Sequence, residues 1–568
     1  MSFLRKAIYN LYILSFIAFP SCINDKLEPC QGDTADDIFG YLELTVSTEG
    51  STTGTRANPT GGETGDGYEH GLEKENIIYN LTAFAYYDNN SLGFDGKSLI
   101  KWKKYINEDI VLNEEYPEYP TDRKYNVKIP LTKADFYTLN NPNSRIGVVA
   151  NAGDLTDITA DLTINDLSRK LDYGVAWRND EKTGEGDYFV MSSAFNGSRR
   201  ADGHSIDGQL VNLSENNGEV AFSCKVSLER VAARIDLLFS NNEMYNNENG
   251  SLTYRVKQVD HTVRLTNVIP VNAMQQNSYL FKQLSSSDAV TDDYLGWRVS
   301  YDETTDESGR PNNYVISPNF FNKDLGSLDQ LYGSTRASSL RKLRIIGNDG
   351  VVTESPHPNS MDGFSKPIDI MSDWNVPTGD KAIIISYVNE NTHPKEVQVA
   401  ENASDYLTGL LIRAQYHPER VYTTANVGEG AVENVDYKQY NDGQDFWLFR
   451  TVGADNTNAV EEKYNLYFAT KEALDDYVAL LPSGGKYETV AYPKGICYYN
   501  VWVKHANKEN SDDNFPMKYG IVRNNIYRIS LGFNGIGQPT PEITEPQNVT
   551  SRIYVIKWNF RPQEIIEM

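Results

Sequence analysis

The sequence predicts a mainly β protein built of β-sandwich domains, and three observations carry that prediction. Runs in which apolar and polar residues alternate recur along the chain, the period-two signature of half-buried strands. Tyrosine is abundant, 37 residues against 7 tryptophans, and aromatic side chains favour the pleated sheet. Convincing helical periodicity is confined to Thr470 to Leu481, where Thr470 caps, Leu474, Tyr477, Val478 and Leu481 form one apolar face, and Pro482 with Gly484 and Gly485 stops the helix. At 568 residues the chain has room for two large β domains.

Taken in order, the chain begins with an address. Arg5 and Lys6 form a short positive region, and an apolar run follows from Ala7 to Pro20. It is too short to cross a bilayer as a mature helix and reads as the core of a signal peptide. It ends Phe19-Pro20-Ser21-Cys22. A small residue directly before Cys resembles a bacterial lipoprotein cleavage site, which makes residues 1–21 the signal and Cys22 the lipidated residue. Phe19 and Pro20 stand where such sites usually carry Leu and a small residue, and an ordinary secretory signal cut near Cys22 is the plainer alternative. Export is expected either way.

Leu42, Leu44 and Val46 alternate with polar residues, so Tyr41 to Thr48 reads as a strand. A Gly/Thr-rich run, Gly50 to Gly67, follows with Arg56 in its middle. An isolated Arg in such a loop is where a trypsin-like protease would cut; on composition alone it is a solvated linker charge. Further strands are expected at Ile77–Tyr87, Tyr125–Pro130, Arg145–Gly153, Ile496–Val503 and Asn525–Leu531, and a short helix within Leu155–Leu171. Glu219 to Phe239 is the longest alternating run and needs a break near Val231–Ala233. The domain boundary is placed near residue 225. Residues 240–460 are β-prone and rich in loops. In the last eighteen residues, Tyr554, Ile556, Trp558 and Phe560 fall two apart on one strand face, hung from a Pro-rich spacer, Gln538 to Asn548. Such a strand completes its own sheet or serves another molecule.

The net charge of −25 argues against nucleic acid or an anionic membrane surface as a partner reached through bulk charge, and the densest basic run is Lys101 to Lys104, KWKK. Four Cys without a CxxC or Cys/His cluster suggest neither zinc nor redox chemistry. Spacing leaves open whether Cys224 and Cys497 pair; two isolated buried thiols are the simpler reading. No HExxH, GxSxG or GxxxxGK[ST] occurs. Asp88 to Asp95 comes nearest to a calcium loop, but Leu99 stands where a bidentate Glu is needed. No catalytic, cofactor or metal site is expected, and the protein is read as a non-enzyme.

Several blocks together resemble the fimbrillins, the subunits of type V pili. RNNIYRISL (Arg523 to Leu531) is similar to their R-N-x-x-Y strand, and Val555-Ile556-Lys557-Trp558 to their terminal strand. GLEKENIIYNLTAFAYY resembles their first core strand, RIGVVANAGDL their V-V-A-N-x-G strand and turn, LERVAARIDLLF their R-x-x-A-R segment, and ICYYNVWV their Tyr-rich strand. Length, leader and block order resemble most the stalk subunit of the short (minor) fimbria.

The resemblance implies two transthyretin-like β-sandwich domains, a lipoprotein precursor palmitoylated at the outer membrane, and cleavage by an arginine-specific protease. Here the implied cut is Arg56–Ala57, and the removed strand carries Leu42, Leu44 and Val46. The implied layout is a propeptide at 22–56, an N-terminal domain at 57–225, a C-terminal domain at 226–538, and a spacer with donor strand at 539–568. The donor strand, with Tyr554, Ile556, Trp558 and Phe560, would fill the groove vacated in another subunit and build a head-to-tail cell-surface filament for adhesion. Implied partners are further copies of the chain, anchor and tip subunits, the protease, and host or bacterial surface ligands. An accessory anchor or tip subunit, or a glycan-binding surface lipoprotein, are the alternative readings.

Overall fold

The computed structural model describes residues 38–47, 68–69, 73–87, 99–163 (save 109, 117–118, 142 and 161), 171–172, 177–178, 188–193, 211–239 (save 217–218), 252–273, 278–281, 284–285, 297–298, 313–314, 343–346, 352–355, 368–369, 381–392, 407–428, 436–452, 464–505, 519–542 and 546–558. They are mainly strand and gather around two large cores.

The first core is lined by a nine-stranded sheet. Its strands are β1 (Gly40–Ser47), β2 (Leu81–Tyr87), β3 (Ile100–Ile106), β4 (Ile110–Tyr116), β5 (Tyr119–Leu131), β6 (Ser144–Ala150), β7 (Met191–Ser193) and β8 (Glu219–Arg230), in the order β3-β2-β6-β7-β8-β1-β5-β4, with Val211–Asn216 paired on β8. β8 joins two halves: Val220–Ser227 run beside β1, while Leu228–Arg230 run beside β7. Gly147 on β6 is obligatory, because a Cβ there would lie 2.2 Å from the Phe84 ring of β2. At the end of β6, Asn151 takes a left-handed conformation (φ 61). Its side chain accepts from the Tyr79 amide and donates to the carbonyls of Ile77 and Phe189.

The second core lies between two sheets. One runs Tyr68–Glu69, β15 (Val549–Trp558), β14 (Asn525–Phe533), β9 (Ala232–Phe239), β11 (Lys381–Asn389), Ile368–Asp369; the other runs Leu252–Arg255, β10 (Thr262–Val271), β12 (Gly409–His417), β13 (Ile496–Trp502). Ile235, Leu237 and Ile529 from the first meet Val263, Leu410, Ile412 and Tyr499 from the second. Between β12 and β13 the chain builds a five-stranded sheet from Arg420–Tyr422, Tyr437–Gln439, Phe446–Thr451, Leu466–Phe468 and Tyr487–Tyr492.

The long alternating run does break. β8 belongs to the first sheet and β9 to the second, with Val231 between them donating its amide to the Val190 carbonyl. The exchange of sheets thus falls six residues beyond 225. Alternation continues across it, so the sequence shows the break without showing which core each half serves.

The predicted helix is α2 (Lys471–Ala479), with the Thr470 hydroxyl accepting from the Ala473 amide, and Leu474, Tyr477, Val478 and Leu481 all pack on one small core. A second helix, α1 (Lys133–Leu139), went unpredicted because it is only two turns long. A reciprocal capping box between Thr132 and Asp135 starts it. The short helix expected within Leu155–Leu171 is absent among the described residues there; Thr156 and Ile158 make turns back to Asp154 and Leu155 instead. No disulfide joins Cys224 and Cys497, which sit in the first and second cores respectively.

Candidate assembly site

β1 is the middle rung of its half-sheet. It runs parallel to β8, Gly40 opposite Val220 through Ser47 opposite Ser227, and antiparallel to β5, Gly40 opposite Leu131 through Ser47 opposite Lys124. The alternation read in the sequence sets which side chains turn inward. Leu42, Leu44 and Val46 are 0–1% exposed. Each has two buried neighbours in register: Phe222 and Ile129 beside Leu42, Cys224 and Val127 beside Leu44, Val226 and Tyr125 beside Val46. Outward, Lys128 Nζ lies 4.0 Å from the Tyr41 ring centroid and the Thr45 hydroxyl donates to Asn126 Oδ1. At the open end the Phe39 amide donates to the Leu131 carbonyl and its ring packs 5.2 Å from Phe136. Removing this strand would leave an apolar slot between two ladders of unpaired backbone groups.

β15 is bound differently. It pairs antiparallel with β14 over nine residues, Val549 opposite Phe533 through Lys557 opposite Asn525. On its other edge, among the described residues, only Tyr68–Glu69 pair with it, parallel and opposite Lys557–Trp558. Its side chains divide between two cores. Ile553 is 2% exposed and belongs to the second core, against which Val549 also packs. Tyr554 points the other way, half-buried against the first core, with the Arg552 guanidinium 4.8 Å from its ring. Among the side chains described on this strand, Ile553 and Val549 thus meet the second core and Tyr554 the first. Phe560 lies outside the described residues, as do Cys22, Arg56 and Ala57.

The spacer before β15 is docked at its start. Gln538 exchanges backbone hydrogen bonds with Tyr498 on β13, and Tyr492, Tyr499 and Asn500 donate to the carbonyls of Gly537, Gly535 and Glu542. The tyrosine hydroxyls thus hold the two glycine carbonyls just before the spacer, and Tyr498 and Asn500 of β13 hold Gln538 and Glu542 within it.

A buried polar cluster joins the two cores. Glu75, on the turn Glu73–Asn76, faces Arg234 Nη1 at 3.1 Å, and Arg234 also holds Asp236 at 2.8 Å, which Arg528 meets at 2.9 Å. All four side chains are fully buried. Arg230 donates to the Glu75 carbonyl and to Asn76 Oδ1, and the Tyr387 hydroxyl donates to Glu75. Burial first, and then the Glu75 carboxylate, push the Tyr387 phenol well above its usual range. The Arg230-to-Arg234 block is thus a structural bolt. So is Arg523, which ion-pairs with Glu390 and donates to the carbonyls of Tyr279 and Leu280. The sequence marks these arginines as motif positions but not Glu75, one of two glutamates in GLEKEN and without a pattern of its own. Among the described residues no group of His, Cys, Asp or Glu is placed to hold a metal ion, and no helix is long and apolar enough to cross a membrane.

Residues 490–562 match the family model for the C-terminal part of fimbrillin, described as a major fimbrial subunit protein of type IV. That span contains β13, β14 and β15, the strands on which the closing segment rests. Solved structures similar to the chain include a candidate cell adhesion protein from Parabacteroides distasonis ATCC 8503, at 15% identity and a TM-score of 0.35, covering 93% of this chain and 99% of that one. A fimbrilin (FimA) from Porphyromonas gingivalis W83 is similar at 14% identity and a TM-score of 0.30, over 93% and 99%. The tip fimbrial protein Mfa3 from Porphyromonas gingivalis is similar at 10% and 0.30, over 91% and 100%. No curated protein matches. The chain is fimbrillin-like, a likeness that its C-terminal strands carry.

Proposed function

We propose that the chain is a structural subunit of a cell-surface fimbria. In this reading it is exported as a lipoprotein acylated at Cys22, cut between Arg56 and Ala57 by an arginine-specific protease, and polymerised by donor-strand exchange. Its N-terminal domain is the β1–β8 sheet, its C-terminal domain the β9–β15 sandwich, with the division at Val231. The observation that carries the reading is the position of β1. It is the centre of an apolar core, yet it connects to the rest of the chain on its C-terminal side only through the segment that holds Arg56. Among the described residues, one cut there frees β1 and no other strand.

The vacated slot needs an alternating apolar strand, and β15 supplies one. The even-numbered series Tyr554, Ile556 and Trp558, with Phe560 following in sequence, replaces Leu42, Leu44 and Val46 in a second copy. Burial of such side chains contributes about 1.5–3 kcal/mol each before ordering costs. The contact is head-to-tail and does not close, so it propagates into a filament joined to anchor and tip subunits. The filament then presents the surfaces that adhere to host or bacterial partners.

The test is Arg56→Ala in cells that assemble the filament. The expected product is an uncut lipidated monomer without the ladder of SDS-resistant polymers, whereas the wild-type mature chain begins at Ala57. Normal polymers from Arg56→Ala would end the cleavage model.

A further inference from the structure

Among the described residues, two short elements lie between Arg56 and β2: the strand Tyr68–Glu69 and the turn Glu73–Asn76. We propose that together they form a latch that holds the closing strand β15 on its own domain until the chain is cut at Arg56. The inference rests on the donor-strand reading above and adds a coupling to it: one cut opens the acceptor slot and loosens the donor strand of the same molecule.

The clip itself is the parallel pairing of Tyr68 with Lys557 and Glu69 with Trp558. There β15 is flanked on both edges, by Asn525 of β14 on one side and by the clip on the other. From Val549 to Ile556 the described ladder is β14 alone. The clip therefore closes the far end of β15, where an edge strand would begin to peel.

The latch has a firm downstream anchor. Glu75 is wholly buried against Arg234 and Tyr387, its carbonyl accepts from Arg230, and the Asn76 carbonyl accepts from the Tyr125 hydroxyl, which in turn accepts from the Ile78 amide. Arg234 stands on β9, opposite Ile526 of β14, and Ile526 is opposite Ile556 of β15. The anchor thus sits in the same sheet, two strands in from the strand it guards.

The upstream anchor is β1, held by two full ladders and three buried side chains. Arg56 lies between β1 and the clip in sequence. Before the cut the clip is tied at both ends, to β1 and to Glu75. Afterwards its upstream end is a free terminus at Ala57, and a two-residue parallel pairing beside a free terminus opens readily.

Hydrogen exchange on the uncut full-length Arg56→Ala protein tests this. Adding Tyr68→Pro and Glu69→Pro removes the amides of the clip. The expected result is exchange about tenfold faster across Val549–Trp558, the loss of one or two ladder bonds, with Gly40–Ser47 and Ala232–Phe239 unchanged. Unchanged exchange at Val549–Trp558 overturns the latch. A second arm needs no substitution at the clip: wild-type precursor cut at Arg56 in solution, before any assembly, should show the same acceleration, and equal protection before and after cutting also overturns it. Both readouts are made on monomers. Filament assembly by uncut Arg56→Ala chains would instead overturn the cleavage model, a separate result.

Discussion

Leu44→Ala distinguishes a strand that belongs to the finished molecule from one that only keeps a place. Leu44 is 1% exposed, with Cys224 of β8 and Val127 of β5 opposite it in register. Truncating a buried Leu to Ala removes about 2–5 kcal/mol, the larger figure where the surroundings cannot collapse. Here two flanking ladders hold the walls of the slot apart, so collapse is limited. In a domain of roughly 150–250 residues each kcal/mol moves Tm by about 2–4 °C. The uncut Arg56→Ala chain carrying Leu44→Ala should therefore lose roughly 4–20 °C in the transition of the part that holds β1, read by scanning calorimetry. Filaments grown from cleavable Leu44→Ala precursors should melt with the wild type, because the altered residue has left with β1. An unchanged Tm in the uncut chain would mean that the buried face of β1 does not seat it. Filaments that melt lower would mean that β1 remains in the assembled subunit, and the proposed exchange would be refuted.

Two further outcomes test other parts of the structure. Glu75→Gln leaves Arg234 and Tyr387 facing a neutral amide inside a fully buried cluster, and breaking one side of a buried pair costs about 3–5 kcal/mol; thermal unfolding of the uncut chain should shift down, and an unaltered profile would remove the bolt from the account. His261 is held neutral chiefly by burial, which lowers its pKa to about 4 against the favourable Asp260 charge, with Arg420 adding to the shift. Because the unfolded imidazole titrates near 6.5, the unfolded state binds the extra proton between those two values, so stability is complete above about pH 6.5 and falls as pH drops towards 4. His261→Asn retains an acceptor for the Glu419 amide and should flatten that fall in urea titrations at pH 7 and pH 4.5, while identical losses in both proteins would count against it.

Much of the fold was legible because its signals are local. Alternation located β1, short apolar runs located β2, β6, β13 and β14, and a cap with an i, i+3, i+4 face located α2. The short α1 escaped because two turns leave too little periodicity to read. Glu75 escaped for another reason: its role depends on Arg234, 159 positions away, and nothing adjacent in the sequence marks it. The closing strand was half legible. Its alternation was seen, but both of its faces carry apolar residues, so the sequence could not say that Ile553 rather than Tyr554 turns to the second core.

By itself the sequence determined that strands dominate, that an apolar strand precedes Arg56, and that another closes the chain. Period two decides which residues share a face, and it does so within a few positions. Only the tertiary structure decided the neighbours: β1 between two strands that lie far from it in sequence, β15 on β14 at the edge of the other sheet, and the turn at Glu75 between the two cores. A strand's pattern fixes its faces locally. The edges it offers are the same backbone groups in every strand, so which edge pairs with which is settled only when distant segments pack into one core.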